Sequence, residues 1–126
     1  GKNCSCVVHR KGATRAFAGQ PVLVPGDMGT GSWLLEGSQN NRAFGSSCHG
    51  AGRLLSRSEA KRTIDGKSIK RELEGRGIRV HANTPNIMSE EAPDAYKDVD
   101  EVIRLTSQAD LAKPLARFTP LAVIKG

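Results

Sequence analysis

Aromatic side chains are scarce in this 126-residue chain: one Trp, one Tyr and three Phe, 4% of the total, dispersed along its length. A platform that stacks single-stranded bases gathers aromatics on one surface, so that class of binder is disfavoured. Long apolar runs are missing, and a mean hydropathy of −0.41 leaves no candidate for a membrane-spanning helix. Cysteine is limited to three residues, an odd count that does not pair off into a disulfide framework. No charged-then-apolar leader opens the sequence. These absences lead us to expect a soluble protein of the reducing cytoplasm.

Enough remains to build a core. Hydrophobic residues make up 37% of the chain, nearly all aliphatic, and the length suits one domain or a domain fragment. The formal net charge of +6 favours a polyanionic partner such as RNA, DNA or a nucleotide.

Read in order, Cys4 to His9 has the composition of a short strand with Cys4 and Cys6 on one face. It runs into the basic segment Arg10-Lys11-Gly12-Ala13-Thr14-Arg15. Gln20 to Val24 is a second strand, and Trp33-Leu34-Leu35 follows the loop Pro25 to Ser32. Gly37 to Arg42 reads as a hairpin connection. Asp65 is an N-cap for a helix carrying Ile69 and Leu73 and ended by Gly75 and Gly77. Ile78 to His81 alternates as a strand, broken at Thr84-Pro85-Asn86. Val99, Val102, Ile103 and Thr106 keep helical spacing within Asp98 to Leu111, and Pro114 closes that region. Leu121 to Ile124 has the composition of a buried strand and delivers Lys125, either a surface charge or a placed ligand group. Strands and helices alternate irregularly, so the expected class is α+β, with mixed sheet layers and flanking helices.

Seven of the 14 glycines lie between Gly26 and Gly52, in two successive loops. Each glycine adds entropy to the unfolded chain, so a ligand's close approach is the expected reason for the crowding. In the second loop, Gly45-Ser46-Ser47-Cys48-His49-Gly50-Ala51-Gly52-Arg53, a single histidine is followed by Gly50-Ala51-Gly52, whose amides can converge on an anion. If a helix opens at Arg53, its N-terminal dipole adds to that field, and Arg53, Arg57 and Lys61 fall on one face at i, i+4 and i+8. The plainer alternative is a glycine turn before a solvated basic helix.

Five motifs in order give the chain a family resemblance. They are His9-Arg10-Lys11-Gly12-Ala13-Thr14-Arg15-Ala16-Phe17, Pro25-Gly26-x-Met28-Gly29-Thr30-x-Ser32, Ser47-Cys48-His49-Gly50-Ala51-Gly52-Arg53, Glu90-Glu91-Ala92-Pro93 and Lys125-Gly126. With them the chain resembles the RtcB family of RNA-splicing ligases over its whole length. Family members are several times longer, so the resemblance implies the C-terminal part of the catalytic domain, without the upstream Asp, Cys and His residues that bind manganese. Asp27 stands where the family usually has serine, and the connection from Phe17 to Gly19 is shorter than the family's.

The resemblance implies a GTP- and Mn²⁺-dependent ligase that joins RNA ends bearing a 2′,3′-cyclic phosphate or 3′-phosphate to 5′-hydroxyl ends, tRNA exon halves among them. It makes His49 the nucleophile that carries GMP. Pro25, Gly26, Asp27, Met28, Ser32, His49, Gly50, Ala51, Gly52 and Lys125 become nucleotide contacts, which turns Lys125 from surface charge to ligand group. Lys11, Arg53 and Arg57 become holders of RNA phosphate, and no metal ligand is expected in this chain. The chemistry of the residues agrees: imidazole is a competent nucleophile, amides can hold phosphate, and cations can neutralise charge that develops in phosphoryl transfer.

Two rival readings remain. Cys4, Cys6, Cys48 and a histidine could form a metal or redox module, although Cys-x-Cys on a strand lacks the turn that brings two thiolates to one ion. A non-catalytic anion- or RNA-binding fragment is the other. His9 and His81 read as structural histidines without a role.

Overall fold

The computed structural model describes residues 5–126 and shows an α+β arrangement of four helices and three small sheets. Strands β1 (Ala13–Arg15) and β4 (Ser46–Cys48) pair antiparallel. Strands β2 (Pro21–Val24), β3 (Ser32–Gly37) and β6 (Ala112–Phe118) form an antiparallel sheet with β3 in the middle. Strands β5 (Arg79–Ala82) and β7 (Ala122–Lys125) form a parallel pair. The helices are α1 (Arg57–Thr63), α2 (Gly66–Gly75), α3 (Pro85–Glu90) and α4 (Val99–Gln108), and a 3₁₀ turn covers Pro93–Ala95.

Two apolar clusters hold these elements together. In β2, Val22 and Val24 point inward and Leu23 outward, as the period of two requires. They meet Leu35 of β3, Ala112 of β6, and Val99 and Ile103 of α4, one helical turn apart. The second cluster gathers Ile69 and Leu73 of α2, Met88 of α3, and Ile78 and Val80 around β5. The loop from Pro25 to Gly31 bridges the two, because Val24 belongs to the first and Met28 to the second.

Local signals set the helix limits. Asp65 accepts from the amides of Lys67 and Ser68, capping α2. At its far end Gly77 takes φ +82°, with Gly77 N–H bonded to Glu74 O at 2.9 Å and Ile78 N–H to Leu73 O at 3.0 Å. That pair of bonds is a Schellman motif, and the Ile78–Leu73 apolar contact that accompanies it lies in the second cluster. Asp98 caps α4 through the Asp100 amide at 2.8 Å.

Several sequence expectations fail, each for a longer-range reason. Ser5 to His9 is exposed and irregular, while Cys4 lies outside the described residues. The strand forms later, at Ala13–Arg15, where β4 offers a partner. Gly37 to Arg42 is not a hairpin: it crosses to a different sheet and is pinned to the end of α4, with Ser38 Oγ donating to Asp110 at 2.6 Å and Asn40 Nδ2 at 2.8 Å. No helix opens at Arg53, which instead bridges Tyr96. α1 begins at Arg57 behind Ser56, whose hydroxyl accepts from Glu59 N–H at 3.2 Å, so the start signal is the capping pair Ser56-x-x-Glu59.

Thr84-Pro85 does end β5, but it also starts α3, with Thr84 as cap and proline in the first turn. Pro114 lies inside β6 rather than closing α4, tolerated on an edge strand at an irregularity opposite Leu34 and Leu35. β7 is not a buried strand. It has one neighbour, and Leu121 and Ile124 are 81% and 79% exposed. Among the described residues, no helix is long and apolar enough to cross a membrane.

Candidate functional site

Three chain-distant segments converge on an open cleft of about 410 Å³: Pro25–Asp27, His49–Gly52 and Lys125, with Gly12, Glu91 and Tyr96 completing its lining. The first segment leaves β2 and turns back at once. Gly26 N–H donates to Ser32 Oγ at 3.1 Å, Asp27 N–H to Thr30 Oγ1 at 3.1 Å, and the Asp27 carboxylate accepts from the amides of Gly29 and Thr30 at 2.8 and 2.9 Å. A side chain at Gly26 has no room, since a Cβ there would sit 2.0 Å from Gly31 O.

The second segment is the continuation of β4. His49 is exposed and follows Cys48, the last residue of the strand, which takes a hydrogen bond from Thr106 Oγ1 at 3.4 Å. Beyond it, Gly52 takes φ +79° and the chain is tied down by Lys97 N–H to Gly52 O at 3.0 Å and Leu54 N–H to Ala95 O at 2.8 Å. Among the described residues the amides of Gly50, Ala51 and Gly52 donate to no acceptor, and all three residues line the cleft.

The expected link between glycine crowding and ligand approach holds for only part of the set. Gly26, Gly29, Gly31, Gly37 and Gly45 face the protein's own atoms, the tightest being Gly26, where a Cβ would sit 2.0 Å from Gly31 O. Gly50 and Gly52 alone among the seven face open space, with nothing nearer than 3.7 Å.

The residues named from the sequence separate into three groups. Pro25, Gly26, Asp27, His49, Gly50, Ala51, Gly52 and Lys125 line the cleft. Met28 is 1% exposed in the second apolar cluster and Ser32 is bonded to Gly26, so both sit behind the loop and shape it. Lys11 is exposed beside Gly12, and the basic row survives in a different form from a helix face. Arg53 Nη1 lies 3.6 Å from Glu91, Arg57 Nε 3.9 Å from Glu90, and Lys61 also pairs with Glu90. The acidic pair at the end of α3 gathers all three.

Glu91, Tyr96 and Gly12 are the cleft residues that sequence reasoning did not assign to the site. The Glu90-Glu91-Ala92-Pro93 motif contained the first, but only the fold brings it into the cleft that holds His49. Tyr96 Oη donates to Glu91 Oε2 at 2.7 Å and accepts from Arg53 Nη1 at 2.8 Å, with the guanidinium 4.7 Å from the ring centroid. Burial pushes the Glu91 carboxyl up, yet the Tyr96 hydrogen bond and the charges of Lys125, Arg53 and Arg57 outweigh it and hold the group below its ordinary 4.5. Burial, reinforced by Glu91 and opposed by Arg53, raises the Tyr96 hydroxyl above its ordinary value.

Two further acidic residues are committed elsewhere. Asp98 caps α4, and Asp100 takes Trp33 Nε1 at 2.7 Å and a two-point Arg117 pair at 3.1 and 3.0 Å. Among the described residues no three His, Cys, Asp or Glu side chains come together to hold a metal ion, so manganese does not fit a site built from them. Cys6, His9 and His81 are all exposed, the two histidines on the surface rather than inside the structure.

Comparison with known proteins places this chain in a family. The family model described as tRNA-splicing ligase RtcB matches residues 2–126, and the chain belongs to that family. It is 49% identical over 138 residues to the tRNA-splicing ligase RtcB of Methanopyrus kandleri, covering 95% of this chain and 14% of that protein. It is 48% identical to the tRNA-splicing ligase RtcB of Thermococcus kodakarensis, covering 100% of this chain and 29% of that protein. The RNA-splicing ligase RtcB of Mycobacterium tuberculosis is 48% identical, with 97% and 31% covered. The chain thus spans less than a third of the length of these curated relatives. The alignment to the Thermococcus protein runs over 141 positions, more than the chain's own residues, so that relative carries residues absent here.

Proposed function

We propose that residues 1–126 are the C-terminal part of the catalytic domain of an RtcB-type RNA ligase, and that the cleft holds guanine nucleotide against His49. The observation that carries this reading is the convergence of His49, the open amides of Gly50 to Gly52, the Pro25–Asp27 turn and Lys125 in one water-accessible cleft. In this reading the His49 imidazole attacks the α-phosphate of GTP, forming an N–P bond as pyrophosphate leaves. GMP then passes to the RNA 3′-phosphate and is displaced by the 5′-hydroxyl of the second end, joining tRNA exon halves.

Amides of the Gly50–Gly52 segment hold the phosphoryl oxygens, and Lys125 adds positive charge within the same cleft. Met28 and Ser32 act by fixing the loop that carries Pro25 to Asp27. Lys11, Arg53 and Arg57 receive RNA phosphate, with Arg57 the more accessible of the two arginines, at 72% side-chain exposure against 24%. The Mn²⁺ implied by the family is assigned to the upstream portion of the ligase, which acts as an obligatory partner of this part.

The alternative is an anion- or RNA-binding piece that catalyses nothing alone, favoured by the lack of a metal cluster among the described residues. One experiment separates the two. Full-length protein carrying this chain, incubated with α-labelled GTP and Mn²⁺, should become covalently labelled, and His49→Ala should abolish the label. The 126-residue chain alone should label little, with the upstream portion added in trans restoring it. Labelling that persists in His49→Ala overturns the nucleophile, and nucleotide binding without any adduct favours the alternative.

A further inference from the structure

We infer that Glu91 is a positioning residue of the cleft, one that fixes Lys125 through an ion pair; this rests on the reading of the cleft as a GTP site. A carboxylate beside an anion site opposes binding by its charge, so its presence calls for a compensating task. Its contacts supply one. Glu91 Oε2 lies 3.6 Å from Lys125 Nζ and accepts from Tyr96 Oη at 2.7 Å, while Oε1 lies 3.6 Å from Arg53.

The two cations differ in how much they need that help. Arg53 is held independently: Nε donates to Leu55 O at 2.9 Å, Nη1 to Tyr96 Oη, and Nη2 to Glu90 O. Lys125 comes from the exposed edge pair β5–β7 on a flexible four-carbon stem, and among the described residues Glu91 is its one ionic partner. Glu91 in turn is oriented by Tyr96 and stays ionised near neutral pH, as its lowered pKa supports. Tyr96, Glu91 and Lys125 thus form a relay of orientation from the well-packed side of the cleft to its loose side. Placing the ammonium before the nucleotide arrives removes an ordering cost from the reaction.

The test uses Glu91→Gln in the full-length protein, since glutamine keeps the size and the acceptor for Tyr96. GMP-adduct formation should fall about tenfold in rate while the KM for GTP changes less than about threefold, the split expected when orientation rather than binding is lost. The reactivity of the Lys125 amine toward an acylating reagent, read by peptide mass spectrometry, should rise several-fold with only a small fall in melting temperature. Lys125→Met should be impaired too, and adding Glu91→Gln to it should cost nothing more.

Effects that multiply in the double variant, or an unchanged rate in Glu91→Gln, overturn the inference. If wild-type protein forms no adduct, the GTP reading fails separately. Lys125 reactivity then decides the tether alone: a rise keeps it, and no change removes it.

Discussion

The two glycine-rich loops of this chain look alike in composition and do opposite things. In Pro25 to Ser32 the glycines are sites of contact with the protein itself: Gly26 lies under Gly31 O, and Gly31 is crowded by Arg117 and Phe118 O. Its polar groups are also spent internally, through Asp27, Thr30 and Ser32. In His49 to Gly52 the glycines face open space and the amides are unclaimed among the described residues. The first loop is a rigid wall and the second a set of free donors. Glycine density therefore marks close approach of backbone, but it does not say whether the approaching atom belongs to a ligand or to the protein.

The largest effect should come from Gly26→Ala. A methyl 2.0 Å from a backbone oxygen has no flexible neighbour to displace, so urea unfolding should show a loss of about 3 kcal/mol, the upper part of the range for overpacking. Near-wild-type stability would mean that the first loop is as pliant as the second. Asp27→Ala comes next: it strips two acceptor bonds from the amides of Gly29 and Thr30, and the same measurement should register about 1–2 kcal/mol.

Gly52→Ala should cost about 1 kcal/mol, because φ +79° is left-handed although no atom stands in the way. Gly50→Ala should stay within about 0.5 kcal/mol, its nearest neighbour being Pro25 O at 3.7 Å. Both should nonetheless reduce GTP labelling more than their stability cost explains. A Gly50→Ala protein that labels normally would reduce the second loop to a plain turn.

Acid should produce the smallest and most local change. The Glu91 carboxyl is depressed in the folded state, so its contribution to stability is complete above 4.5, its ordinary value, and fades as pH falls through the lower folded one. Chemical shifts around Tyr96 and Lys125 should follow a titration whose midpoint lies below 4.5. Movement well above that point would show that Glu91 is not the group tying this wall together.

Parts of this architecture were written locally. The α2 helix could be read from Asp65, Ile69, Leu73 and Gly77, and α4 from Asp98 and its apolar spacing, because caps and helical periodicity act over a few residues. Two signals of the same kind went unread, Ser56-x-x-Glu59 before α1 and Thr84-Pro85 before α3. The cleft's outline was also legible, since the motifs that gave the resemblance name nine of the residues that line it.

By itself, then, the sequence determined the α+β class, both ends of α2, the start of α4, the basic charge and the family. Tertiary structure alone decided that Met28 and Ser32 stand behind their loop, that β7 is an exposed edge, and that Glu91 reaches Arg53 and Lys125 from a distant helix end. The division is physical: hydrogen-bonded turns and caps are closed by neighbours in the chain, whereas burial, strand partnership and ion pairing depend on which remote segment folding brings alongside.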